Sequence, residues 1–331
     1  MKLKKCAALL LVSSCLLTRC TTSSAKKVDS KYVVASLEKG NKTKNIFADN
    51  LYKDIIDNSS NNSTVFNAVL QNLVDQKFPV NDDMKEDAAT IIKQIKSAYK
   101  SNYGDNYKDS LNQALTSAGY KNLSEYRQRM IKQIQYANFL LDYIDDHFDD
   151  VFNDYYQQCA PKYVSLIKIS VSDTSSPTDN ETSKLNEVKE LISNTDKSFG
   201  DIAQDYSDDS TSSKKGSLGI VDSKDTSGIA NSYGKDVFNA IEALSEGQVS
   251  DVITGDDGYY FVKVTSTDKK TLKKELKKTD IDSPLLAYDD YLQYVVYNSY
   301  KINYKDKDIK KIVQEVVNKA LEERKTERGE A

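Results

Sequence analysis

Hydrophobic and polar positions divide the chain into a helical first part, a mixed middle part and a helical last part. From residue 31 to about residue 159, and again from 284 to about 324, apolar residues recur at steps of three and four, the period of an amphipathic helix. The clearest helix follows Asn122, with Glu125 three positions later in the spacing of a capping box. Its apolar positions are Leu123, Tyr126, Met130, Ile134, Ala137, Leu141 and Ile144.

The middle of the chain has the pattern of strands and turns. Residues 163–171 and 258–265 are rich in aliphatic and β-branched residues, which is typical of β-strands. Eight of the 12 glycines lie between Gly200 and Gly258, which indicates a compact, turn-rich module. We therefore predict an α+β protein. It would consist of one mostly helical lobe, built from both chain ends, and an inserted α/β domain with a small antiparallel sheet plus helices.

The amino terminus has the pattern of an export signal. Residues 1–5 are basic, and the apolar run over residues 6–17 is shorter than the about 20 helical residues that span a bilayer core. A cysteine at the end of such a run resembles the bacterial lipoprotein signal. Cys20 has the right depth and a small polar tether behind it, although Arg19 departs from that pattern. Cys15 is the alternative, and an ordinary cleaved signal stays open. Two acyl chains would hold the protein on the extracytoplasmic face of the cell membrane.

Composition excludes several classes of site. The 331 residues include one histidine, which nearly removes Ser-His-Asp triads and histidine-ligated zinc, and we expect neither a metal nor a cofactor. A formal net charge of −4 argues against a nucleic-acid partner, because neutralising phosphates requires a basic surface. Beyond the signal, Cys159 is the one remaining cysteine, so we expect no internal disulfide in the mature chain.

Four segments of the predicted insert carry a family resemblance. They are residues 199–210 (FGDIAQDYSDDS), 214–219 (KKGSLG), 243–251 (ALSEGQVSD) and 258–264 (GYYFVKV). In order and spacing they resemble the corresponding segments of parvulin-type prolyl isomerases. With the lipoprotein-like signal and the flanking helices, the whole chain is similar to the PrsA foldase lipoproteins of Gram-positive bacteria. The helical part resembles SurA and trigger-factor chaperone domains more loosely.

The resemblance implies four segments with different roles. Residues 1–20 would be the lipoprotein signal, and residues 21–160 the first part of a helical chaperone-like lobe. Residues 161–267 would form the parvulin-like domain, and residues 268–331 would return to the helical lobe.

The resemblance also implies a cup that receives a proline ring, and the residues at its positions depart from the family. Parvulins place one histidine in the first strand and another in the last, and here these positions fall at Ile167 and Tyr260. The acid-or-cysteine position is kept as Asp209, so that Asp209 and Tyr260 would be the remnant of the catalytic site. The positions that would contact substrate are Ile167, Leu218, Val237 and, in a register shifted by one, Phe238.

Because isoleucine cannot hydrogen-bond and tyrosine reaches differently from histidine, we predict a parvulin fold with weak or no isomerase activity. The predicted function is a foldase or chaperone that assists exported proteins after translocation, with unfolded or partly folded exported chains as partners. Two alternatives stay open: an active isomerase, and a surface lipoprotein without chaperone function in which the insert is a scaffold. A homodimer is compatible with the sequence.

The chain has 22 tyrosines and no tryptophan, and tyrosine offers contact area with a polar tip. The tyrosines are therefore candidates either for weak contact with unfolded chains or for an ordinary tyrosine-rich core. The two groups of interest are Tyr99, Tyr103 and Tyr107 in the first part, and Tyr288, Tyr291, Tyr294 and Tyr297 in the last part.

Overall fold

The computed structural model describes residues 27–39, 42–276 and 281–330, so Cys15 and Cys20 lie outside the described residues. The first elements are β1 (Lys27–Val28), β2 (Lys31–Lys39), β3 (Lys42–Phe47), α1 (Ala48–Ile56), α2 (Asn62–Lys77), α3 (Asp82–Tyr103), α4 (Tyr107–Ser117), α5 (Leu123–Asp146) and α6 (Phe148–Cys159). They are followed by β4 (Lys162–Ser170), α7 (Asp179–Asn194), α8 (Phe199–Tyr206), β5 (Ser217–Val221), α9 (Ile229–Tyr233), α10 (Lys235–Ala243), β6 (Ile253–Gly255), β7 (Gly258–Ser266), α11 (Lys269–Leu276), α12 (Leu292–Ser299) and α13 (Lys307–Glu327). Within these ranges, no helix combines the length and the apolar character that crossing a membrane requires.

The α+β prediction is confirmed. Helices form most of the described chain, and the strands form two small antiparallel sheets, with the orders β1-β2-β3 and β5-β4-β7-β6. The predicted strands in the middle of the chain are observed as β4 and β7, which lie side by side at the centre of the four-stranded sheet. Their pairing runs from Ser170 opposite Gly258 to Tyr163 opposite Ser266.

The helical prediction is wrong between residues 31 and 47, which form β2 and β3. The two strands pair in antiparallel fashion, with Lys39 opposite Lys42. The sequence contains the signals for this hairpin, because Val33 and Val34 are β-branched and a Gly-Asn dipeptide stands at positions 40–41. The helical prediction rests on the spacing of apolar residues, which takes account neither of the β-branched residues nor of the Gly-Asn dipeptide.

The Asn122 cap predicted from the sequence is observed, and Asn81 caps α3 in the same way. Asn81 Oδ1 accepts a hydrogen bond from the Met84 N–H at 3.0 Å before α3, and Asn122 Oδ1 accepts one from the Glu125 N–H at 2.9 Å before α5. The Glu125 carboxylate in turn accepts a hydrogen bond from the Lys121 N–H at 2.8 Å, one residue before the cap. The apolar faces of the two helices then pack together through Met84, Ala88, Ile91, Met130, Ile131 and Ile134.

The described chain divides into two compact units. One unit comprises residues 80–290 and contains the four-stranded sheet together with α3 to α11. The other combines the described residues before 80 with residues 291–330. In this second unit α2 packs against α13, and Phe66 stacks on Tyr294 with ring centroids 5.0 Å apart. The four-segment division of the chain stays a prediction.

A buried carboxylate joins α6 to the end of β5 within the unit of residues 80–290. Asp222 is fully buried and accepts hydrogen bonds from the hydroxyls of Tyr155, at 2.8 Å, and Thr226. The Tyr155 ring packs edge-on against Tyr288, with centroids 5.4 Å apart, and the Tyr288 hydroxyl donates to Asp154 at 2.8 Å. Because a buried carboxylate is stable only when it is hydrogen-bonded, this network holds α6 against the sheet domain.

Removing the Tyr155 hydroxyl tests this network. We expect Tyr155→Phe to lower the free energy of unfolding by about 1–3 kcal/mol, because a buried carboxylate loses a donor while the ring is kept. The matched control is Tyr156→Phe. The Tyr156 hydroxyl donates to the Thr267 carbonyl at 3.1 Å from a half-buried position, so we expect a loss below about 0.5 kcal/mol. Urea unfolding followed by circular dichroism measures both, and equal losses would contradict a special role for Asp222.

Candidate functional site

Alternation along β4 separates two faces of the four-stranded sheet. Val164 and Leu166 lie on one face, which we call the front face, and pack with residues of α9 and α10. Ile167 and Ile169 lie on the other, the back face, and pack with residues of α7 and α8. Since successive side chains of a strand point to opposite faces, the position of a residue along β4 decides on which face of the sheet its side chain lies.

Tyr260 lies on the front face of β7, directly opposite Lys168 of β4. The Lys168 ammonium lies 5.5 Å from the centre of the Tyr260 ring and forms an ion pair with one carboxylate oxygen of Asp257. The Tyr260 hydroxyl donates to the other oxygen of the same carboxylate. Burial raises the pKa of the Tyr260 phenol, and the hydrogen bond to Asp257 raises that pKa further. We call these three residues the Lys–Asp–Tyr cluster.

Tyr233 connects this cluster to Asp209. The Tyr233 ring packs edge-on against Tyr260, with centroids 6.2 Å apart, and its hydroxyl donates to Asp209 Oδ1 at 3.4 Å. Burial and the Asp209 charge raise the pKa of the Tyr233 phenol. The two residues predicted as the remnant catalytic site are therefore brought to one place. Sequence reasoning missed Tyr233, because its one signal is an aromatic residue just before Gly234 in a chain with many tyrosines.

The apolar wall of the site contains three of the predicted substrate positions. Leu218, Val237 and Phe238 all pack in the same front-face cluster as Tyr260. Val237 is 1% exposed and therefore belongs to the core. Leu218 and Phe238 are only partly buried, so they are the residues of this wall that can contact a bound side chain.

Ile167 does not lie in this site, and its predicted role is corrected. Its side chain is fully buried on the back face, where it packs with Phe261. The reason is strand alternation, because one step along β4 moves a side chain to the opposite face. On the front face, Lys168 is the β4 residue that lies directly opposite Tyr260.

Gly216 holds the loop that carries Asp209 against β4. Its φ is +75°, and its carbonyl accepts a hydrogen bond from the Leu166 N–H at 2.8 Å. A Cβ at this position would lie 2.4 Å from the Leu166 carbonyl oxygen and 2.8 Å from the Ala203 Cβ. Only glycine fits both the backbone conformation and the space.

The arrangement offers an apolar wall but few groups that can act on an amide. Rotation about a peptide bond crosses a barrier of about 18–20 kcal/mol, and lowering it requires hydrogen bonds aimed at the strained amide in a water-poor cup. The Lys168 ammonium and the Tyr260 hydroxyl are both engaged by Asp257. The site can therefore hold an apolar side chain or a proline ring, while its two central donors are already bound.

Substituting Gly216 tests how the loop is positioned. We expect Gly216→Ala to lower the free energy of unfolding by about 3 kcal/mol or more, because a left-handed backbone strain is added to a backbone clash. Gly247→Ala is the matched control. Gly247 also has a positive φ, +82°, but nothing lies within 4 Å of its added Cβ, so a loss of about 1 kcal/mol is expected. Losses of equal size in urea unfolding would show that the close contact with Leu166 does not matter.

Comparison with known proteins identifies the domain that contains this site. Residues 166–266 match the family model of the rotamase, or PPIC-type PPIase, domain. Foldase protein PrsA of Staphylococcus aureus (strain MRSA252) is 31% identical over 159 residues, which cover 46% of this chain and 47% of that protein. Foldase protein PrsA of Staphylococcus epidermidis (strain ATCC 12228) is 35% identical over 136 residues, 39% of each chain.

The matched region thus spans less than half the length of these curated relatives. The crystal structure of PrsA from Bacillus subtilis aligns with 85% of this chain and 98% of its own, at 21% identity and a TM-score of 0.39. Residues 166–266 of the chain are therefore a PPIC-type parvulin domain, and the curated proteins that the chain resembles are PrsA-type foldases.

Proposed function

We propose that this protein is an extracytoplasmic, lipid-anchored foldase that binds unfolded or partly folded exported proteins after translocation. Its parvulin domain would be weak or inactive as an isomerase. The parvulin match and the foldase names of its relatives support the general function. The anchor is proposed from the amino-terminal pattern, with Cys20 as the lipidated residue and Cys15 as the alternative.

The observation that carries the proposal is a concentration of exposed apolar side chains near the start of the described chain. Among the described residues, eight large hydrophobic side chains stand out as exposed, and all but Tyr103 lie between residues 28 and 55. We call this set the amino-terminal apolar patch. It consists of Val28, Tyr32, Val34, Ile46, Leu51, Tyr52 and Ile55, each 40–48% exposed. Exposed apolar groups in water favour contact with other apolar groups, such as those of an unfolded chain.

The tyrosines divide between surface and core. Tyr103 is 52% exposed and stacks on Tyr99 with centroids 5.5 Å apart, so this pair lies at the surface but apart from the amino-terminal apolar patch in sequence. Tyr288 and Tyr297 are buried. Of the two alternatives left open for the last group of tyrosines, these two residues therefore fit the tyrosine-rich core.

The proposal of weak isomerase activity rests on the Lys–Asp–Tyr cluster. An active cup needs donors that strengthen their hydrogen bonds as the amide twists. The ion pair between Lys168 and Asp257 and the hydrogen bond from Tyr260 would have to break before either donor could reach a substrate. The free-energy cost of breaking these two interactions supports the proposal that the domain binds proline-containing or apolar segments better than it isomerises them.

Isomerisation of a short X-Pro peptide by the full chain tests this part of the proposal. We expect an acceleration below about tenfold, which corresponds to lowering the barrier by less than about 1.4 kcal/mol. The double variant Lys168→His/Tyr260→His would place two imidazoles on the front face and should raise the rate. The matched control Ile167→His/Tyr260→His would bury one imidazole on the back face, so we expect no gain and lower stability.

A fast wild-type reaction would show that the site works without histidines and would favour the active isomerase. A larger gain for the Ile167→His variant than for the Lys168→His variant would contradict the placement of Lys168, and not Ile167, on the face that carries Tyr260.

Aggregation of a chemically denatured client tests the foldase proposal. At stoichiometric amounts the wild-type chain should suppress light scattering. The double variant Tyr32→Ser/Ile55→Ser should suppress it several-fold less, because both side chains belong to the amino-terminal apolar patch. The control Tyr103→Ser removes an exposed aromatic side chain elsewhere and should act as the wild type does. All three changes are at exposed positions, so we expect stability changes within about 0.5 kcal/mol.

No suppression by the wild-type chain would favour the alternative of a surface lipoprotein in which the parvulin domain is a scaffold. Equal suppression by the wild type and by Tyr32→Ser/Ile55→Ser would still support a chaperone function. It would, however, place the client-binding surface outside residues 28–55.

A further inference from the structure

A cavity lies on the back face of the four-stranded sheet, opposite the Lys–Asp–Tyr cluster. Its lining combines strand residues with the first residues of α8. One row of the lining crosses three strands and consists of Ser217 of β5, Ser165 of β4 and Lys263 of β7. Ser217 and Lys263 are both direct partners of Ser165 in the sheet. This row alternates with Val164 and Leu166, whose side chains fill the front-face core. The cavity is therefore separate from the parvulin site.

Three lysines line this cavity, namely Lys214, Lys215 and Lys263. The Lys215 ammonium is paired with the Asp201 carboxylate at 2.7 Å. Within the described ranges, the ammonium groups of Lys214 and Lys263 form neither an ion pair nor a hydrogen bond. One carboxylate thus offsets one of three positive charges, and the cavity keeps an excess of positive charge.

Ser165 is a polar side chain at this cavity that is buried without a partner. Its residue is 7% exposed, and its hydroxyl makes no hydrogen bond with any described residue. The neighbouring Ser217 hydroxyl, by contrast, donates to the Tyr163 hydroxyl at 3.0 Å. The Ser165 hydroxyl is accessible from the cavity, so a ligand atom there can make the hydrogen bond that no described residue makes.

The start of α8 adds backbone donors. Ser198 caps the helix, and its hydroxyl oxygen accepts a hydrogen bond from the Asp201 N–H at 3.1 Å. The N–H groups of Phe199 and Gly200 come before the first intrahelical hydrogen bond and have no helical acceptor. Both residues line the cavity. The positive end of the helix dipole therefore adds to the charge of the lysines.

We propose that this cavity binds a phosphate group. The cavity is lined by two ammonium groups without a carboxylate partner, the Ser165 hydroxyl and two helix N–H groups. Together these groups can donate hydrogen bonds to several oxygens of one tetrahedral anion. Lysine binds phosphate well as a point charge, and a helix N-terminus favours the same ligand. The group could belong to inorganic phosphate, to a soluble phosphate ester or to a phospholipid headgroup. The proposal is independent of the proposed foldase function, because it concerns the opposite face of the sheet.

Isothermal titration of the full chain with inorganic phosphate at constant ionic strength tests this site. We expect saturable binding with a dissociation constant of about 1 mM, as befits a small anion. Ser165→Ala and Lys263→Gln should each weaken the binding about fivefold or more, because each removes one direct interaction. Lys235→Gln is the matched control, since it removes the same charge from an exposed position on α10 and should leave the affinity unchanged.

Ser165→Ala breaks no hydrogen bond of the folded chain, so it keeps the test valid if Lys263→Gln fails to fold. Titrations with glycerol 3-phosphate and with vesicles of phosphatidylglycerol distinguish the sources. Binding of the soluble anions alone supports a soluble ligand, and Ser165-dependent binding of vesicles supports a headgroup. No saturation up to about 50 mM phosphate, or affinities unchanged in both variants, would overturn the proposal.

Discussion

The antiparallel pairing of β4 with β7 is the interaction on which the rest of the structure depends. It places Lys168 beside Tyr260 on the front face and Ser165 beside Lys263 on the back face. Because strand side chains alternate with a period of two, a slip of one residue would exchange the two faces and bring Ile167 into the site. Both faces bury aliphatic side chains under helices, and this burial opposes any such slip.

Local patterns are enough to predict the fold class, the two central strands and the helices that asparagine caps open. They are not enough near the start of the chain, where the period of apolar residues predicts a helix and residues 31–47 form a hairpin. A short strand carries few apolar positions, so its period is hard to separate from steps of three and four. The Gly-Asn dipeptide is the stronger signal, because these two residue types favour the backbone conformation of a hairpin turn. The period of apolar residues, by contrast, has to be judged from few positions.

The sequence predicts the site in part, and the errors have a common origin. Asp209 and Tyr260 stand in recognisable segments, and the structure connects them through Tyr233. The first strand offers no such segment, and the position assigned in it, Ile167, lies on the opposite face of the sheet. Register is decided by pairing with a strand about 90 residues later in the chain, which no local pattern of β4 contains. The same pairing brings Ser165 and Lys263 together in the cationic cavity on the back face, although the sequence analysis singles out neither residue.

Tyrosine hydroxyls that donate to carboxylates recur in the unit of residues 80–290, and they have a spectroscopic consequence. Three of these pairs are Tyr155 with Asp222, Tyr233 with Asp209 and Tyr260 with Asp257. Burial raises the pKa of each of these phenols above the ordinary value of about 10. The unfolded chain therefore loses these protons first, so the stability that the pairs provide is complete below about pH 10 and decreases above it. These three of the 22 tyrosines would therefore ionise at a higher pH in the folded chain than in the unfolded one, so alkaline unfolding would add their share to the rise in tyrosinate absorbance at the moment when the fold opens.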